Sequence, residues 1–180
     1  MILKFDELDW IMDFFDNGIE LRIEGIDRVR NFSFLWNLFE TYACNKRASI
    51  TTISLAVDKI NQVETIKFEL LREYIEYFRD RYISQDGSQN EIFKGLKFRS
   101  TEKIAEQEVI DTLVGTRKAP VDSLKSLLYI VYRLRNNLFH GEKNIIKLNN
   151  QIENFIVAND LLAKVLSIMK RRYLILEIIK

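Results

Sequence analysis

The 180-residue chain has one cysteine, Cys44, and one histidine, His140. A single thiol excludes an internal disulfide, and within an apolar run Cys44 reads as a small core residue. One cysteine and one histidine fall short of the usual structural zinc sets, and no carboxylate cluster has metal-ligand spacing, so neither metal nor cofactor is expected. Proline is almost absent, with Pro120 alone, and there are only six glycines; a chain so short of breakers suits long helices. Excess charge is missing too, since 27 Lys and Arg against 26 Asp and Glu leave a net charge of +1. That excludes a general attraction to nucleic acid, so any such contact has to come from a local basic patch. No stretch reaches the roughly 18 uninterrupted apolar residues of a membrane span. Residues 1–9 carry acids where a signal peptide has its apolar run, and a cytoplasmic protein without a membrane partner is expected.

What the chain does have is apolar content, 47% of residues, at helical spacing. The length suits one domain with a sizeable core, here 1–180, with 1–18 as a helical extension and 19–180 as the core. Residues 5–16 put Leu8, Ile11, Met12 and Phe15 on one face before Asn17 and Gly18 end the run. A second helix is expected from about residue 20 to 44, with Trp36, Phe32, Phe39 and Tyr42 as core aromatics. Residues 49–62 form a short amphipathic segment rich in β-branched side chains. Residues 63–83 predict a single helix with Ile66, Leu70, Tyr74, Tyr77 and Phe78 inward. Residues 86–90 form a loop. Residues 92–99 alternate apolar and basic side chains and read best as a connector, with a strand edge or an RNA-contacting arm as alternatives. A helix over 100–114, capped by the Ser100 hydroxyl, precedes the central motif helix. A closing helix opens at Asn149 and Asn150 and turns Ile152, Phe155, Ile156, Asn159, Leu162, Val165, Leu166 and Met169 inward.

The motif helix carries the chemistry. Leu124, Leu127, Leu128, Val131, Leu134 and Leu138 recur at three-and-four spacing. Pro120 supplies the start, and Gly141 the stop that favours a left-handed closing residue. At about 100° per residue from Leu124, Arg135 falls at about +20°, inside the apolar arc, where a guanidinium needs a partner or a wet cleft. His140 falls at about 160°, near Asn136 one turn earlier, and only about 7.5 Å beyond Arg135 along the axis. A distorted last turn would bring both to one phosphate. On their own, a last-turn arginine and a capping histidine are also ordinary helix-end chemistry.

The string Arg135-Asn136-Asn137-Leu138-Phe139-His140-Gly141 at the end of an apolar helix resembles the Arg-x4–6-His signature of the HEPN superfamily. The stretch Phe34-Leu35-Trp36-Asn37-Leu38-Phe39-Glu40 is similar to the first core helix of many of its members. Some relatives carry a tyrosine two residues after the histidine, where a paired antitoxin nucleotidylates it; this chain has Glu142 there. The resemblance implies an all-α bundle of about five to seven helices. It also implies a metal-independent endoribonuclease on single-stranded RNA, in a toxin–antitoxin or phage-defence setting, dimerising through the motif helix. Arg135, Asn136 and His140 are the expected catalytic residues, and Arg133, Lys143 and Lys147 the nearby cations expected to hold RNA. The chemistry is suited to the task. RNA brings its own 2′-hydroxyl nucleophile, a histidine titrates near neutrality, and an arginine grips phosphate with paired N–H donors. The alternatives are a HEPN module that binds RNA, a nucleotide or a protein without turnover, and a helical adaptor.

Overall fold

A computed structural model describes residues 6–14, 23–139 and 149–171. Among them are eight α-helices and no strand. These are α1 (Glu7–Phe14), α2 (Ile23–Tyr42), α3 (Ile50–Val63), α4 (Arg72–Tyr82), α5 (Glu91–Lys94), α6 (Lys103–Val114), α7 (Pro120–Phe139) and α8 (Ile152–Arg171). The all-α expectation holds, with one helix more than the expected range. No described helix is long and apolar enough to cross a membrane.

Helix α7 is the centre of the bundle. It packs against α3, α4 and α6, and the Trp36 ring of α2 lies 6.1 Å from the Tyr132 ring. Every residue from 126 to 134 is buried, so the apolar arc of the motif helix is used inside its own fold. Small polar side chains allow the close approach of α6, where Thr112 Oγ1 donates to Ser126 Oγ at 2.8 Å. Helix α6 ends at Gly115, whose φ of +82° is the left-handed stop, and Pro120 opens α7 as its position predicts.

Helices α2 and α8 pack along one another. Phe32 meets Phe155 with ring centres 5.1 Å apart, and Asn159 Nδ2 donates to the Arg28 carbonyl at 3.1 Å. A Cβ on Gly25 would stand 3.4 Å from Ile152, so the lack of a side chain lets the two helix starts approach closely. On α8 the expected inward face is correct except for Ile156, which is exposed. Helix α1 buries none of its residues; its Trp10 and Phe14 are exposed and stack at 5.2 Å.

Two boundaries differ from expectation. The single helix predicted over 63–83 is broken. Glu64 is extended at φ −148°, a 3-10 turn spans Phe68–Leu70, and α4 starts only at Arg72. The Asn61 side chain accepts the Ile66 N–H at 3.3 Å, a local alternative to the helical bond, and Leu70 is exposed rather than inward. Before α6, the cap is the Glu102 carboxylate, which accepts the Arg99 N–H at 3.0 Å; the Ser100 hydroxyl has no part in it. Helix α3 has a reciprocal cap, with Ser49 Oγ accepting from Thr52 N and Thr52 Oγ1 from Ser49 N.

Candidate functional site

The last turns of α7 carry four consecutive polar or charged positions, counting the masked boundary side chain aside: Arg133, Arg135, Asn136 and Asn137. The helix aims them in two directions. Arg135 and Asn136 face α2. Arg135 Nη1 donates to Asn136 Oδ1 at 3.2 Å, and Arg135 Nη2 lies 3.8 Å from Glu40 Oε2. Glu40 is itself fixed, since Oε1 accepts the Ala48 N–H at 3.0 Å and Oε2 the Trp36 indole N–H at 3.3 Å. The arginine side chain is 29% exposed, which leaves it within reach of a solvent-borne anion. Asn136 is buried, and its Nδ2 has no hydrogen-bond partner among the described residues. A buried amide left with an unused donor is costly, and this one sits beside the only half-exposed guanidinium of the motif.

Arg133 and Asn137, one turn apart, face the other way. Arg133 was expected to hold RNA, and the structure corrects this: the residue is buried. Its Nε donates to the Leu96 carbonyl at 3.0 Å, its Nη2 donates to the Lys97 carbonyl, and its Nη1 pairs with Glu102 Oε2 at 3.2 Å. Burial draws the guanidinium pKa down, against the pull of the Glu102 carboxylate. Asn137 Nδ2 donates to the carbonyls of Gly95 and Leu96 at 2.8 and 3.2 Å. These two side chains shape the connector after α5, and no donor of Arg133 is left for a phosphate.

His140, Lys143 and Lys147, together with Gly141 and Glu142, lie outside the described residues. The site that is described therefore consists of Arg135, Asn136 and Glu40, backed by Trp36 and Tyr132. Glu40 was missed as a site residue when the sequence was read. Its only signal was its place at the end of the Phe34-to-Glu40 stretch, four residues after the tryptophan it bonds. Cys44, one turn further along, is buried, and burial pushes its thiol up to about 11; it is a core residue without nucleophilic character.

A cavity of about 320 Å³ lies elsewhere, between α4 and the second half of α8, with Ile66, Leu71, Leu124, Leu161 and Val165 in its walls. Leu124 and Arg135 are about 16 Å apart along α7, so this cavity is separate from the motif. No family model matches the chain, and no curated protein or solved structure is detectably similar to it.

Proposed function

We propose that this chain is a metal-independent endoribonuclease of the HEPN type that cuts single-stranded RNA, in a toxin–antitoxin or phage-defence role. The observation that carries the reading is the pairing of the half-exposed Arg135 with Asn136 and Glu40, on the turn that leads into His140. Glu40 and Asn136 hold the guanidinium from one side, so that its outer N–H donors are presented in a fixed direction. A phosphate arriving there gains a cation whose orientation is already set, which is how preorganised charge stabilises a phosphorane.

In the reaction, a base removes the proton of the 2′-hydroxyl, and the 2′-oxygen attacks the adjacent phosphorus. The 5′-oxygen then leaves with a proton supplied by an acid, and a 2′,3′-cyclic phosphate remains. Arg135 would neutralise the non-bridging oxygens, His140 would transfer a proton, and the free Asn136 donor would orient the imidazole or the phosphate. Lys143 and Lys147 remain the expected RNA-holding cations of the motif region. Two proton transfers and one histidine per chain favour a homodimer that places two motifs at one cleft. Because residues 126–134 are enclosed by their own bundle, the contact would be made by the C-terminal end of α7 rather than along its length.

The competing reading is a HEPN-type module that binds RNA, a nucleotide or a protein without turnover. The Glu40 carboxylate near Arg135 gives it some weight, because it competes with phosphate for the guanidinium. Incubation of the purified chain with labelled unstructured RNA in EDTA separates the two. We expect cleavage with cyclic phosphate ends, lost in Arg135→Ala and in His140→Ala. Cleavage that vanishes on chelation and returns with magnesium would refute the mechanism, and binding without cleavage would favour the module.

A further inference from the structure

The segment after α5 is held to the motif helix by more than its surroundings require. Over residues 94–99 the carbonyls of Gly95, Leu96 and Lys97 all point inward, onto Asn137 and Arg133 of α7. Phe98 is anchored beside them, 6.0 Å from Phe93 and under the Arg133 guanidinium at 5.9 Å. Lys97 adopts φ +54°, a left-handed conformation uncommon outside glycine and asparagine. Burying a guanidinium is unfavourable unless its donors are used, and two of the Arg133 bonds go to this backbone.

With the carbonyls turned in, the side chains that face solvent are Lys94, Lys97 and Arg99, three cations within six residues. The nearby acids do little to cancel them. Glu102 is buried against Arg133, and the Lys94–Glu91 pair is an exposed i,i+3 contact with side chains 65% and 85% accessible, which salt and water screen. Arg133 and Asn137 thus leave this basic strip on one flank of the end of α7, with Arg135 on the other.

We infer that segment 94–99 is a docking strip for the phosphates of single-stranded RNA, leading the strand across the end of α7 toward Arg135. This rests on the ribonuclease reading and deepens it by giving the substrate a path. Phosphate contacts position a strand without reading its sequence, so the strip would bind any unpaired RNA backbone.

The test uses the full chain and a labelled 2′-O-methyl oligouridylate, which lacks the nucleophile and cannot be cut. Affinity is measured by anisotropy over a range of salt. The variant is Lys97→Asn with Arg99→Gln, because asparagine tolerates the left-handed backbone at position 97, and circular dichroism checks that it folds. Losing two single-strand phosphate contacts should lower affinity roughly 10–25-fold near 0.1 M salt and reduce the salt slope by about 1.4. Lys59→Ala with Lys67→Ala, which removes the same charge from exposed positions on and after α3, should change neither. An unchanged slope and unchanged KM in a variant that still cleaves RNA would overturn the strip and leave the nuclease reading standing. A wild-type chain that neither binds the oligonucleotide nor cuts RNA would overturn both. Equal binding of polyglutamate at matched charge would refute RNA as the occupant.

Discussion

Arg133 and Arg135 are two residues apart on one helix and have opposite fates. Arg133 and its partner Glu102 have side chains only 5% and 9% exposed, so each depends on the other for compensation of its charge. Removing one partner of such a pair leaves a buried charge and typically costs about 3–5 kcal/mol. Arg133→Ala should therefore lower the unfolding free energy in urea by about that amount, while Arg135→Ala, whose contact with Glu40 is long and partly wet, should cost under about 1 kcal/mol. A loss in Arg133→Ala no greater than in Arg135→Ala would show that the buried pair is dispensable. The sequence could not separate the two. Counted from Leu124, Arg133 falls at about 180°, opposite the apolar arc, where an arginine is normally solvated. It is buried because segment 94–102 covers the face that the wheel leaves open, and that cover comes from a stretch with no periodicity of its own.

At the level of helices, spacing was an adequate guide wherever one face alone meets the core. Helices α2, α7 and α8 appear within a few residues of their expected ends, and Trp36 on α2 is buried as the aromatic run suggested. Its ring contacts with Phe32, Phe39 and Tyr132, and its indole bond to Glu40, tie packing to the site. Trp36→Ala should thus destabilise the fold by roughly 3–5 kcal/mol and also release Glu40. A folded Trp36→Ala protein of wild-type stability would contradict this placement. The helix break after Val63 was not legible, because the apolar spacing runs on through Ile66 and Leu70. What ends α3 there is a side-chain-to-backbone bond from Asn61, and such a competitor has no periodic signature.

For the molecule as a whole, the motif pair Arg135–Asn136 could be found in the sequence, whereas Glu40 became a site residue only when α2 was laid against α7. One chain offers a single histidine, and the assembly that supplies a second is expected to be a dimer joined at the end of α7. Light scattering across a dilution series should report it, and mixing Arg135→Ala with His140→Ala subunits should restore part of the activity through mixed sites. A strictly monomeric protein with full nuclease activity would exclude the shared cleft. The pairing of α2 with α8 adds a constraint of timing. Phe32 and Asn159 take partners more than a hundred residues away in sequence, at Phe155 and Arg28, and a ribosome makes α2 long before α8. During translation α2 has no brace, and Glu40 has no fixed place beside Arg135. A chain still being synthesised would be inert toward the messenger that encodes it, and stalled nascent chains ending before residue 152 should leave RNA intact.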